Sequence, residues 1–426
     1  MTTSPAHRNL IALLTYGSRG DVEPFIALGL GLSRAGYPVR LMAPAPYREM
    51  AERRGLAFHA LDGDPEQLAR SFADSAGLSW PRMIARMIEF VRPVAVSVLR
   101  SVLEASADAQ AIVHSFLMTE AGHTIARQRG LPDVSAQLFP VFVPTSSFPA
   151  VALPDLPLGP AYRLATHHLN TLVFRFGGRV LYREIQAQNE GLPDLAPWPF
   201  GGDPSSRPPV LFAFSPVILP PPRDWPPGVT ITGYWHLGPP DGWTPPAALA
   251  RFLESDPPPV YFGVGSMRSA RMRELVQIAM RAAQSTGQRL ILGVPQEAMT
   301  DAAESGWLMR AEGIPHEWLF PRLRLILHHG GAGTTGAALR AGVPSVAVPF
   351  GADQAFWARR MSRLGVGPAA PAAHRLTVDR LATVIDRALT DPAFRIRAAQ
   401  VGEAVRHEEG VSMAVGLIED HIRAAR

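Results

Sequence analysis

The stretch Leu323-Arg324-Leu325-Ile326-Leu327-His328-His329-Gly330-Gly331-Ala332-Gly333-Thr334-Thr335-Gly336-Ala337-Ala338-Leu339-Arg340-Ala341-Gly342-Val343-Pro344-Ser345-Val346-Ala347-Val348 decides the fold class. Residues 323–327 are a run of strand length, apolar but for Arg324. Residues 334–341 read as a helix stopped by Gly342, and residues 345–348 as a second strand. Strand, helix and strand joined by short turns are the unit of a parallel sheet covered on both faces. The turn after the first strand carries its own chemistry. Gly330, Gly331 and Gly333 leave little side-chain bulk over the helix start. Successive backbone N–H groups and Thr hydroxyls there can hold phosphate oxygens, and a histidine just before them can donate as well. Packing alone has no need of two adjacent His and two adjacent Thr around three Gly.

The same alternation extends outward in both directions. In the second half, residues 260–264 read as a strand, 271–285 as a helix ended by Gly287, and 289–293 as a strand. In the first half, residues 10–15 are a strand, 24–35 a helix ended by Gly36, 39–42 a strand, 46–54 a helix and 111–114 a strand. The first strand leads into Gly17-Ser18-Arg19-Gly20-Asp21-Val22-Glu23-Pro24. Its glycines let backbone approach a ligand, and its helix start favours a negative group. Asp21 is either an N-cap or a proton acceptor, and the residues alone leave both open. A third loop, Pro349-Phe350-Gly351-Ala352-Asp353-Gln354, follows the strand at 345–348. Its acid and amide can hydrogen-bond vicinal hydroxyls, or simply cap the next helix.

Composition removes several alternatives. The chain has 426 residues, no Cys, and 41 basic residues that are all Arg. Without Lys there is no Walker A loop and no Schiff base. Without Cys there is no disulfide, thiolate nucleophile or Cys-ligated metal. The net charge is +4, and no basic stripe suggests nucleic acid. No transmembrane segment or signal peptide is evident, which points to a cytoplasmic protein. Between residues 191 and 228 stand twelve prolines. Such a stretch cannot be regular helix or central strand, so it reads as the join between two halves, with the boundary near Leu219. An NAD fingerprint fails, because the first loop has only Gly17 and Gly20 and no acid ends the second strand. Asp62-Gly63-Asp64 has the spacing of a metal-holding Asp-x-Asp motif but lies far from the phosphate loop, and reads as a turn.

In order and spacing, the three loops resemble family 1 glycosyltransferases with the GT-B fold, above all their sterol glucosyltransferase and antibiotic (natural-product) glycosyltransferase branch. Further resembling pieces are Asp224-Trp225, Gly233-Tyr234-Trp235, Gly263-Val264-Gly265-Ser266-Met267, His316-Glu317-Trp318-Leu319-Phe320-Pro321 and Gly365-Val366-Gly367-Pro368. The second half matches nearly throughout, and the first half only at its opening loop and in pattern. The resemblance implies an α/β protein of two Rossmann-like domains facing across a cleft. Residues 1–218 would bind the acceptor, 219–228 form a proline-rich linker, 229–405 bind a nucleotide sugar, and 406–426 carry a helix packing back on the first domain.

By the same resemblance, Ser266, His329, Gly331, Gly333 and Thr334 fall where the diphosphate is held, and Trp318 near the nucleobase. Asp353 and Gln354 fall where donor-sugar hydroxyls are read. Ser18, Arg19 and Gly20 are first-loop contacts, and Asp21 stands where many relatives have a catalytic His. The expected activity is inverting, metal-independent sugar transfer from a nucleotide sugar, UDP-glucose before a dTDP-sugar. The expected acceptor is a hydroxyl of a lipophilic molecule such as a sterol, hopanoid or polyketide. The nucleotide sugar is a co-substrate and no cofactor is implied; peripheral contact with a membrane is open. A nucleotide-sugar epimerase and a non-catalytic nucleotide-sugar-binding partner are the competing classes. A glycosidase would need a facing carboxylate pair that the sequence does not locate.

Overall fold

The computed structural model describes residues 10–64, 67, 80–187, 192–201, 207–265, 271–299 and 305–426. The first half opens with strand β1 (Leu10–Leu14), helix α1 (Arg19–Arg34), β2 (Val39–Pro44), α2 (Arg48–Glu52) and β3 (Ala57–Leu61). It continues with α3 (Trp80–Ala105), β4 (Ala109–His114), α4 (Thr119–Arg129), β5 (Asp133–Gln137), the long α5 (Gly159–Ala187), β6 (Val210–Phe212) and β7 (Val229–Ile231). The second half holds α6 (Ala247–Leu253), β8 (Val260–Gly263), α7 (Met272–Ser285), β9 (Leu290–Gly293), β10 (Leu308–Arg310), α8 (His316–Leu319), β11 (Leu325–His328), α9 (Ala332–Ala341), β12 (Ser345–Ala347) and α10 (Gln354–Leu364). Helices α11 (Val378–Thr390), α12 (Pro392–Arg406) and α13 (Gly410–Ala424) end the chain.

Two parallel sheets result, ordered β3-β2-β1-β4-β5-β6-β7 and β10-β9-β8-β11-β12. Strands buried on both faces need apolar residues throughout, and Leu10-Ile11-Ala12-Leu13-Leu14 supplies them. In the first sheet β1 lies between β2 and β4; in the second, β8 lies between β9 and β11. The strand order therefore reverses beside β1 and beside β8. Loops leaving the strands diverge at such points and open a crevice at the carboxyl ends. The loops after β1, β4, β8 and β11 all start there.

The expected linker at 219–228 needs correction. Val229–Ile231 pairs in parallel with Val210–Phe212, so the first sheet runs past the prolines. The proline stretch is a crossover between neighbouring strands of one sheet. Its Asp224 is a clasp: Oδ1 accepts from Thr145 Oγ1 at 2.6 Å, and Oδ2 accepts from the Ser146 N–H at 2.7 Å. Helix α13 returns to the first half, where Ala414, Val415, Ile418 and Ile422 join the core around Phe25 and Leu28. Gly31 of α1 makes room for it, since a Cβ there would strike Val411.

Candidate active site

Helix α1 begins five residues earlier than expected from the sequence, at Arg19 rather than Pro24. The reason is local. Asp21 Oδ2 accepts from the Ser18 N–H at 2.7 Å and from Ser18 Oγ at 2.9 Å, which closes the helix start. Gly17 adopts φ 143° and lies so close to Asp21 that a Cβ would strike the carboxylate. Ser18, not Asp21, is thus the N-cap; Asp21 is the third residue of the helix and bonds back to Ser18 through Oδ2, while no described residue bonds to Oδ1. Burial pushes this carboxyl above its ordinary range, and the two Ser18 bonds only partly offset it. A half-buried carboxylate with a raised pKa is a stronger proton acceptor than a free Asp.

Pro24, inside α1, cannot donate to the Gly20 carbonyl one turn before it. That oxygen faces the other half: a Cβ on Gly333 would lie 3.9 Å from it. The N-terminus of α1 thus meets the N-terminus of α9 across the cleft. Gly331 is the N-cap of α9 and offers no side-chain bond. The first bond of this helix runs from the Thr335 N–H to the Gly331 carbonyl at 2.9 Å. The amides of Ala332, Gly333 and Thr334 precede it and have no intrahelical partner. Three orphan donors and the positive end of a helix dipole make an anion site.

The two histidines before α9 have separate tasks. His328 Nδ1 accepts from the Gly330 N–H at 3.1 Å and so holds the turn. The His329 ring is wedged between Gly265 and Gly331; a Cβ on either would strike it. Its buried Nδ1 has no partner among the described residues. Burial pushes His329 down to about 4, so the ring is neutral at pH 7 and donates as an uncharged group. Arg19 supplies positive charge from the opposite wall, where its field reaches Tyr261 and His316. It is paired with Glu23 at 2.7 Å.

Asp353 lies close enough to Asp21 for the two carboxyls to repel. Burial first, and the Asp21 charge second, push Asp353 up to about 7, although the Trp357 indole N–H donates to its Oδ2 at 2.9 Å. Gln354 is more committed than expected. Its Oε1 accepts from the Phe350 N–H at 2.8 Å and so ties the loop to the head of α10. Trp318 is half-buried, with the Arg322 guanidinium 4.4 Å over its ring and Trp243 edge-on at 5.3 Å. Ser266 falls outside the described residues. The structure brings Ser18, Arg19, Gly20 and Asp21 together with Gly333 and Asp353.

Two groups stand beside the residues that the sequence reading assigned to the site. Tyr261 and His316 face Arg19 from the second half, and burial pushes His316 down to about 3. No spacing rule links them, because β8 and α8 are far apart in sequence. An aromatic cluster also closes the carboxyl end of the first sheet. Phe142 lies 5.4 Å from Phe116, 5.8 Å from Phe174 and 5.1 Å from Trp198. Phe142 has φ 64°, strained for a bulky side chain. The Asp62-Gly63-Asp64 segment is a turn with Gly63 at φ 105°. The Asp62 backbone carbonyl accepts from Tyr16 Oη at 3.0 Å, and its side chain bonds Ser97.

The Glycosyltransferase family 28 N-terminal domain matches residues 11–143, and the C-terminal domain of Erythromycin biosynthesis protein CIII-like matches residues 278–410. O-mycaminosyltylonolide 6-deoxyallosyltransferase of Streptomyces fradiae is 36% identical over 96% of this chain and 97% of its own length. A sterol 3-beta-glucosyltransferase of Emericella nidulans is 32% identical over 97% of this chain but only 30% of its own length. Among solved structures, glycosyltransferase VinC in complex with dTDP aligns over 97% of this chain and 100% of its own, with a TM-score of 0.70 at 17% identity. This chain belongs to the GT-B glycosyltransferases, in the branch shared by antibiotic glycosyltransferases and sterol 3-beta-glucosyltransferases.

Proposed function

We propose that this enzyme moves a hexosyl group from a nucleoside-diphosphate sugar to a hydroxyl of a lipophilic small molecule, with inversion and without a metal. The observation that carries this reading is the meeting of the α1 and α9 N-termini, with Asp21 and Asp353 beside them. The diphosphate lies on the amides of 332–334 with His329 and Ser266, and Trp318 stands near the nucleobase. Asp353 and Gln354 read the sugar. Asp21 takes the proton of the acceptor hydroxyl. The acceptor oxygen bonds to the anomeric carbon from the opposite side as the carbon–oxygen bond to diphosphate breaks, and the diphosphate leaves with the electron pair. Amides, helix dipole, His329 and Arg19 balance its charge, which is the work a metal would otherwise do.

We favour a 6-deoxyhexose donor over UDP-glucose. The end-to-end match to the 6-deoxyallosyltransferase supports this, whereas the sterol relatives are longer proteins matched in part. The sugar loop supports it too. Gln354 Oε1 and Asp353 Oδ2 are taken up within the protein, so fewer acceptors remain for hydroxyls. The aromatic cluster around Phe142 supports an apolar acceptor. Incubation with dTDP-6-deoxyhexoses and UDP-glucose, with and without polyketide and sterol acceptors, tests the proposal. Acceptor-dependent release of nucleoside diphosphate with a glycosylated product is expected. Conversion of the donor to another nucleotide sugar without acceptor would instead show an epimerase.

A further inference from the structure

Helix α5 wears part of its apolar side outward. Its inner side buries Thr166, His167, Asn170, Tyr182 and Ile185. Facing solvent are Leu169, Leu172, Phe176 and Val180, with Phe176 70% exposed. Their spacing of three, four and four residues puts them on one face. Seven of the nine exposed large hydrophobics among the described residues fall between residues 156 and 180. That is a patch, not scatter. From Leu169 to Val180 the face is roughly 16 Å long at the α-helical rise. It is convex, unlike the concave sites that take small molecules.

Charge identifies the occupant. The helix sequence holds Arg163, Arg175, Arg179 and Arg183 against the single acid Glu184. Arg175 and Arg183 are exposed, and neither makes an ion pair among the described residues. An anionic surface complements both the arginines and the stripe. We propose that the exposed face of α5 docks on an anionic lipid bilayer. The stripe sinks into the headgroup–acyl boundary, and the arginines reach out to lipid phosphates. Docking there brings the half with the aromatic cluster to the phase in which apolar molecules dissolve, whatever the acceptor is.

Flotation with phosphatidylcholine vesicles, with and without phosphatidylglycerol, tests this. The wild-type chain should float with the anionic vesicles and weakly with the neutral ones. Leu172→Ser with Phe176→Ser should cut the bound fraction at least about tenfold. Arg175→Gln and Arg183→Gln should each cost roughly fivefold at low salt and little at high salt. Unchanged thermal unfolding of these surface variants shows that they are folded. Wild-type protein that stays with neither vesicle, or that floats equally with both, overturns the proposal. So does a double serine variant that floats like wild type. A wild-type dimer in light scattering that the double variant turns into a monomer, with no vesicle binding by either, assigns the face to a second copy instead.

Discussion

Replacing Asp21 by Asn separates its two roles by magnitude. In the wild type Oδ2 accepts two bonds from Ser18, at 2.7 and 2.9 Å. An amide oxygen in the same place keeps both, so the helix start survives. Bonds to a carboxylate exceed neutral ones by about 1 kcal/mol each. Against that loss stands the raised pKa. It means that the ionised carboxyl is worse off here than in water, so a neutral amide escapes a burial penalty. The two effects oppose, and the folded state should change by about 1 kcal/mol or less. Catalysis has no such compensation. An amide cannot take the acceptor proton, and losing a positioned base costs on the order of 10²–10⁴ in rate, or about 3–5 kcal/mol of barrier. Thermal unfolding, calorimetry with the nucleoside diphosphate and saturated turnover measure the three quantities on one variant. The expectation is normal unfolding, normal diphosphate affinity and lost turnover. Wild-type turnover should rise with pH through a pKa above the ordinary carboxylate range, and the Asp21→Asn variant should lose that limb. An Asp21→Asn enzyme that turns over within about tenfold of wild type refutes the base assignment and leaves Asp21 only as the partner of Ser18 at the helix start.

Further outcomes follow from the same geometry. His329→Ala should weaken nucleoside diphosphate and nucleotide sugar alike, by about 10–100-fold, whereas Asp353→Ala should leave the bare diphosphate nearly unaffected; equal losses in calorimetry would place Asp353 under the phosphate loop. Asp353 has a folded pKa of about 7, raised above 3.8, so its stabilising contribution is full below pH 4 and is lost as pH rises through about 7. Asp353→Asn should therefore be more stable to unfolding than wild type at pH 8, by about 1–2 kcal/mol after allowing for partial exposure, with little difference near pH 4; the same difference at both pH values would contradict the burial argument. Turnover should survive EDTA, and a loss that magnesium or manganese restores would end the metal-free scheme.

The local chemistry was legible in the sequence where chain neighbours make it. An apolar strand, a glycine turn and a helix stop sit within 26 residues at 323–348, and strand-helix-strand packing follows from that order alone. The Ser18–Asp21 pairing is equally local, although the sequence reading started that helix at Pro24, whereas the return of the last helix onto the first half was an implication of the resemblance and not of its own residues. The proline stretch misled, because composition excludes strand within it but says nothing of the sheet that Val229–Ile231 joins on its far side. Three matters needed the tertiary structure. The approach of Gly20 to Gly333 joins residues 313 positions apart, through two sheets whose strand order reverses beside β1 and β8. The raised pKa of Asp353 depends on burial and on a second carboxyl from the other half, and the lowered pKa of His329 on burial between two glycine loops. The outward apolar face of α5 looks from sequence like any core helix. Periodicity reports that a helix has an apolar side, and only the packed fold decides whether protein covers it.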